Sequence, residues 1–364
     1  MNESFVLRDM QVYTERGRSA LRDFLASQGL RYENDADYAV GVYDDDDVLL
    51  ACGCCCGAVL KNFAVAENAR GQNILGRLLS HLTGWQFQRG NSRLLVFTTP
   101  ENKGFFLRSG FFIVEETAAT VLLENRQNGV ERFAEETLPP NGADVDSACV
   151  VMNCNPFTLG HRHLVEYAAA RSALLHVFLV EEDRSIFPFA IRKRLLSEGT
   201  ADIPNVRVYG GGPYIISSAT FPTYFLKEVN QAADVWAELD LTLFARRIAP
   251  LFHISRRYVG EEPYCILTRK YNEAMRQILP RYGLSVESIP RLRAGSKAVS
   301  ASAVREILAR QGACSSLREL VPESTLRFLE SEEAAPVLMK LRKTGNGGSM
   351  WFEKRTKEEI SCLN

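Results

Sequence analysis

Val150-Val151-Met152-Asn153-Cys154-Asn155-Pro156-Phe157-Thr158-Leu159-Gly160-His161 is the stretch from which the fold is read. The apolar run Ala148 to Met152 predicts a buried strand, and Asn155-Pro156 breaks it. Gly160 then opens a helical pattern through Leu164, Val165, Ala168 and Ala169. A strand, a tight turn and a helix start direct unpaired backbone N–H groups and the positive end of a helix dipole at one point. That point suits a phosphate. Gly160 allows close backbone approach, Thr158 offers a hydroxyl and His161 an imidazole donor.

Far downstream, Val299-Ser300-Ala301-Ser302-Ala303-Val304-Arg305 has the same character. Ser300 or Ser302 can cap the helix that begins here, leaving N–H groups for an anion. Arg305 lies about one turn further on, and its fork of donors matches a phosphate better than a lysine would. Thr158-x-Gly160-His161 resembles one signature of the nucleotidyltransferase superfamily. The 299–305 stretch resembles its other signature, Ile-Ser-x-x-x-Val/Ile-Arg. Between them, Leu174–Val180, Val206–Tyr209, Leu241–Phe244, Arg256–Gly260 and Leu284–Ile289 are expected as strands. Pro188–Gly199 and Thr268–Leu279 are expected as helices. Strands alternating with helices predict a Rossmann-like, doubly wound parallel sheet.

The first third of the chain has a different rhythm. It is read as a helix at Leu21–Leu30, a strand at Tyr38–Tyr43, an acidic turn at Asp44–Asp47 and a return strand from Val48. A strand at Leu60–Val65, a helix to about Gln88, a strand at Leu94–Thr98 and a short helix ending at Gly110 follow. This order resembles the GNAT acetyltransferase fold, an α+β domain. Asn102, Phe105, Phe106, Gly110 and Phe111 match the family segment that packs beside a pantetheine arm. The family's Arg/Gln-x-x-Gly-x-Gly/Ala loop is not matched. Counting from Arg70, its glycine positions hold Asn73 and Leu75, whose β-carbons obstruct a phosphate. The expected organisation is a GNAT-like domain over 1–125, a linker over 126–144, a nucleotidyltransferase domain over 145–335 and a tail over 336–364.

Length and composition bound the function. The 364 residues suffice for two or three cores, and a net charge of −1 argues against a nucleic-acid partner held by bulk electrostatics. Nothing in the sequence reads as a membrane span or a signal peptide, so a cytoplasmic location is expected. Of the nine cysteines, Cys52, Cys54, Cys55 and Cys56 fall in one apolar run. They read as small buried hydrophobes in a strand, because no second ligand pair at metal-site spacing accompanies them. Cys154 is not assigned as a nucleophile.

The resemblance narrows further at Met152–Arg162, Ile215–Lys227, Val259–Tyr264 and Thr268–Asn272, which look like the citrate lyase ligase family. That resemblance implies that ATP, acetate and the thiol form of citrate lyase give the acetylated lyase, AMP and diphosphate. The thiol belongs to a dephospho-coenzyme A-like prosthetic group on the lyase's acyl carrier subunit. On this reading Thr158, His161 and the backbone near Gly160, with Asn155 and Phe157, hold the triphosphate. Ser300, Ser302 and Arg305 take its β- and γ-phosphates. Gly260 and Glu261 lie near the adenosine. Mg²⁺ is implied, with no metal ligands visible. Arg184, Arg192, Lys227 and Arg269 are candidates for the acetate carboxylate or an α-phosphate oxygen. His163 is read as structural, and His81, His176 and His253 carry no partner pattern. Two alternatives stay open: an adenylyltransferase acting on a phosphate acceptor such as phosphopantetheine, and a regulatory acyl- and nucleotide-binding module. The GNAT-like domain is a candidate holder of the carrier's pantetheine-like arm.

Overall fold

The computed structural model describes residues 5–138, 145–181, 185–216, 221–223, 225–226, 232–262, 265–295 and 297–344. Arg184, Lys227, Pro263, Tyr264 and most of Ser217–Lys227 therefore lie outside the described residues. The first elements are β1 (Val6–Asp9), α1 (Glu15–Ser27), β2 (Tyr38–Tyr43), β3 (Leu49–Cys56), β4 (Val59–Val65) and α2 (Ile74–Gln88). Next come β5 (Leu95–Thr98), α3 (Lys103–Arg108), β6 (Phe112–Glu116), β7 (Val121–Glu124) and α4 (Gly129–Thr137). Then follow β8 (Ser147–Met152), α5 (Leu159–Ala169), β9 (Leu174–Leu179), α6 (Phe189–Glu198), β10 (Val206–Gly210) and α7 (Ala232–Leu243). The chain continues through α8 (Ala249–Leu251), β11 (Ile254–Gly260), α9 (Ile266–Ile278), β12 (Ser285–Ile289), β13 (Arg293–Ala294) and β14 (Lys297–Ala298). It closes with α10 (Ala301–Gln311), α11 (Glu323–Glu330) and α12 (Ala335–Thr344).

Two compact units emerge. The first comprises Met1–Arg132 with Phe221–Leu243, and the second Phe133–Thr220 with Phe244–Asn364. The first unit is built on a seven-stranded sheet ordered β1-β2-β3-β4-β5-β7-β6, the GNAT-like α+β arrangement. Its pairs are antiparallel except β4–β5, which is parallel and joined only at Val59↔Leu95 and Leu60↔Val96. Alternation along β3 sends its cysteines to opposite faces. Cys52 and Cys54 join Leu21 and Leu25 of α1, while Cys55 joins Leu78 and Leu82 of α2. All three thiols are free and buried. Lys61 is also buried there; its Nζ donates to Glu33 and to Asp35 at 2.9 Å. Glu33 Oε1 in turn accepts from the N–H and hydroxyl of Thr223 at 2.8 and 2.7 Å. Phe221 meets Phe97 edge-on at 5.7 Å. These contacts anchor the later segment within the unit that precedes it in sequence.

The second unit carries a five-stranded sheet ordered β10-β9-β8-β11-β12, parallel throughout. Every strand is fed by a crossover, and the order reverses between β8 and β11. In such a sheet the crevice outside the strands' C-terminal ends at the reversal is the natural ligand position. One face packs Val150, Val177 and Leu179 against Val165 of α5, Leu195 of α6, Val304 of α10 and Leu341 of α12. The other presents His176, Phe178 and Tyr209 to Phe252.

One expectation changes. Leu241–Phe244 is not a strand; it is the end of α7, running into a π-helical stretch at Phe244–Ile248. Leu239, Leu241, Leu243 and Phe244 are all fully buried, and a short apolar run buried on every side has no periodicity to separate strand from helix. Within 126–144 the chain forms α4, whose Val130, Phe133 and Ala134 are buried. The last described residues form α12, which packs through Val337 and Leu341.

Candidate active site

The loop after β8 is held by its own polar groups. Asn155-Pro156 is a cis peptide. Asn155 Oδ1 accepts from Phe187 N–H at 3.0 Å. Thr158, 1 % exposed, caps α5: its Oγ1 accepts the backbone N–H of His161 at 3.3 Å. His161 answers through its ring, whose Nδ1 accepts the Thr158 N–H at 3.1 Å and lies 2.9 Å from Thr158 Oγ1. Because Nδ1 is an acceptor, the neutral ring carries its proton on Nε2. Burial first, and then the nearby cations Arg291 and Arg305, hold this imidazole far below its ordinary value, at about 4. His161 is thus a neutral donor across the physiological range.

Ser300 caps α10 in the same way, accepting from Ala303 N–H at 3.1 Å. The two helix starts meet closely. A β-carbon on Gly160 would stand 3.0 Å from Val299 O, so a side chain here would force that backbone to give by a few tenths of an ångström. Arg305, 9 % exposed, closes the join: Nη1 donates to Asn155 O and Nη2 to Ser302 Oγ at 3.1 Å. No carboxylate pairs with it among the described residues.

A cavity of about 500 Å³ opens at the switch point of the sheet. The α5 start contributes Thr158, Gly160, His161, His163 and Leu164. Gly260 ends β11, Glu262 and Cys265 come from beyond it, Ile289–Leu292 from β12 and beyond, and Val299–Ala303 with Glu306 from the α10 start. A helix leaves its first N–H groups without intrahelical acceptors. At α5, Leu159 N–H is bonded to Leu320 O, those of His161 and Arg162 to the Thr158 cap. At α10, those of Ala303 and Val304 are bonded to Ser300. Among the described residues this leaves Gly160 N–H, Ala301 N–H and Ser302 N–H for a ligand, all three on cavity-lining residues. Two helix starts, three backbone N–H groups, the His161 imidazole and Arg291 share this wall, an arrangement able to accept an anion.

Residues 147–329 match the family described as citrate lyase ligase C-terminal domain. The chain is 36% identical to [Citrate [pro-3S]-lyase] ligase of Escherichia coli over 88% of its own length and 94% of that protein's. The same-named protein of Klebsiella pneumoniae is 36% identical, covering 90% and 96%. This chain belongs to the citrate lyase ligase family. Among solved structures, a GNAT-family acetyltransferase of Staphylococcus aureus (10% identity, TM-score 0.29) and an acyl-CoA N-acyltransferase of Pseudomonas aeruginosa (13%, 0.29) are similar over 34% of this chain and all of theirs.

For this citrate lyase ligase family member, the structure gathers Thr158, Gly160, His161, Gly260, Ser300 and Ser302 around one cavity. Other expected residues lie behind its wall. Phe157 is fully buried, its ring parallel to His161 at 6.2 Å and its carbonyl accepting from Thr325 Oγ1 at 2.9 Å. Asn155 braces the loop, and Arg305 ties it to α10 rather than lining the cavity. Thr158 spends its hydroxyl on the cap. Glu262, not Glu261, faces the cavity, and His163 lines it rather than pointing away. Arg192 is fully buried and donates to the carbonyls of Asn153 and Val180, each at 2.8 Å, and to that of Phe187 at 2.9 Å. Its guanidinium is committed to the ends of β8 and β9. Arg269 is exposed on α9. Arg291 escaped the sequence reading. A cation just past the C-terminal end of a strand beside the switch point was the signal that pointed to it.

Proposed function

We propose that this chain acetylates the thiol of the citrate lyase prosthetic group, consuming ATP and acetate and releasing AMP and diphosphate. The reading rests on one observation: the two helix starts of the nucleotidyltransferase signatures border a single cavity, with Gly160, Ala301 and Ser302 N–H groups open to it. An acetate oxygen attacks the α-phosphorus, the bond to the diphosphate breaks, and acetyl-AMP forms. The carrier thiolate then attacks the acetyl carbonyl, and AMP leaves with the C–O electron pair. The thiol's proton goes to solvent. Neither step needs a covalent protein nucleophile; positioning and charge stabilisation suffice. His161 Nε2–H and the open N–H groups hold the phosphates, and Gly260 and Glu262 border the nucleoside end.

Among the described residues no three His, Cys, Asp or Glu side chains converge on a metal position. Magnesium needs no such cage, since it binds through substrate phosphates and one or two carboxylates. Both Glu262 oxygens are taken up by Arg291 and Cys265 N–H, so Glu306 is the carboxylate on this wall for magnesium, which bound there with ATP would offset phosphate charge. No helix among the described residues is long and apolar enough to cross a membrane.

The test is exchange of labelled diphosphate into ATP, run with acetate, with propionate and with no acid. Acetate-dependent exchange is expected. Exchange driven by phosphopantetheine but not by acetate would overturn the reading. Titration of the full chain with acyl carrier bearing its prosthetic group tests the proposed role of the first unit in holding that arm.

A further inference from the structure

Arg291 lies just past β12, on the cavity wall opposite no other strand-end cation among the described residues. It is held to the turn that follows β11. Its Nε donates to Glu261 O at 2.6 Å, and its Nη2 pairs with the Glu262 carboxylate. The other Glu262 oxygen accepts Cys265 N–H at 3.1 Å, at the start of α9. One guanidinium therefore links the loops beyond two neighbouring parallel strands, both of which line the nucleotide cavity. We propose that Arg291 is a positioning residue of this cavity: its charge, tempered by Glu262, draws the phosphates of the nucleotide onto His161 and the α5 N-terminus. This rests on the reading of the cavity as an ATP site.

Three features favour a charge role over a merely mechanical one. Arg305, the other cation beside His161, has both terminal nitrogens committed to protein oxygens and does not line the cavity. Arg291 lines it. Its field also reaches His161, where it ranks ahead of Arg305 among the cations that depress the imidazole. The other titratable groups on the wall are His163 on α5, Glu262 and Cys265 around the α9 start, and Glu306 on α10. The two carboxylates oppose the charge that Arg291 supplies, so the balance between Arg291 and Glu262 is the adjustable quantity.

Direct ATP binding by the full chain, measured calorimetrically without acetate or carrier, separates this inference from the parent reading. If the wild type binds no ATP, the parent reading fails. If it binds, Arg291→Gln is expected to weaken binding by about tenfold, and Arg291→Lys to recover most of it. Glu262→Gln is expected to act in the opposite direction and tighten ATP binding. The His161 ring, followed by NMR, should titrate higher in Arg291→Gln and lower in Glu262→Gln. A purely mechanical clip predicts that both Gln variants weaken binding while the His161 titration stays put. That result overturns the inference, as does wild-type binding in Arg291→Gln. If Arg291→Gln fails to fold, the sign of the Glu262→Gln change decides alone.

Discussion

Arg305→Lys separates two roles that the sequence cannot distinguish. A phosphate ligand would act only when nucleotide is present. The structure instead puts the fork on Asn155 O and Ser302 Oγ, bridging the two signature loops before any ligand arrives. A lysine keeps the charge but reaches only one of these partners at a time. Losing one hydrogen bond from a charged donor costs roughly 1.5–3 kcal/mol. In a folding unit of about 200 residues each kcal/mol shifts Tm by roughly 2–4 °C, so a fall of about 3–12 °C is expected in the apo protein. The same loss in the assembled site corresponds to roughly 10–100-fold in diphosphate exchange. Differential scanning calorimetry without nucleotide, paired with the exchange assay, reads both quantities. An unchanged apo Tm together with a large loss of ATP affinity would refute the bracing role and restore Arg305 as a direct phosphate ligand.

Gly160→Ala places a β-carbon 3.0 Å from Val299 O, so a stability loss of roughly 1–3 kcal/mol and near-complete loss of exchange are expected. Denaturant melts and the exchange assay check it. His161→Ala removes the ring donor and the partner of Thr158 N–H; exchange should fall by roughly 10–100-fold, with less change in Tm than Arg305→Lys gives. Stability should decline as pH falls from about 6.5 towards 4. Burial holds His161 and His176 at about 4 in the fold, so the unfolded chain binds more protons in that window. Melts from pH 7 to 4 should show the decline, and His161→Gln should flatten it. In the first unit, burial alone would raise the Glu33 carboxyl, but Lys61 and the Thr223 hydrogen bonds bring it down to about 2. Lys61→Met should therefore destabilise by roughly 3–5 kcal/mol, and the added changes Glu33→Gln and Asp35→Asn should recover part of that loss in urea melts.

Much of this architecture was legible because local chemistry decided it. Ser300 is a cap by residue type and starts its helix where the sequence places it, while Thr158, read as a phosphate hydroxyl, caps α5 instead. The parallel sheet followed from continuous apolar runs such as Leu174–Leu179. What escaped was set by contacts distant in sequence. Nothing local to Arg305 announces that its partner is the carbonyl of Asn155. Phe157 reads as part of the phosphate turn, yet Gly199 leaves the space that takes its ring; a β-carbon there would stand 2.5 Å from it. The turn of α5 also carries His163 round to a cavity that extends over the helix start, beyond the face that spacing alone assigns. Thr223 could not be assigned to the first unit, since its partner Glu33 lies far upstream.

The composition of the cavity bears on the chemistry proposed for it. The terminal nitrogens of Arg305 are held by protein oxygens and Arg291 is partly offset by Glu262, so a triphosphate would meet largely neutral donors. Backbone N–H groups at helix starts cannot follow a departing anion. They are fixed by Thr158, Ser300 and the Gly160–Val299 contact. Fixed donors need no reorganisation as charge moves from the attacking acetate onto the departing β,γ-diphosphate, which is where electrostatic catalysis gains most. Unpaired cations would instead hold the diphosphate product tightly. His161, kept neutral by burial and by Arg291 and Arg305, donates through Nε2–H without adding a fixed positive charge that would retain the product. A site of this kind gives up some ground-state affinity and keeps turnover from being limited by product release.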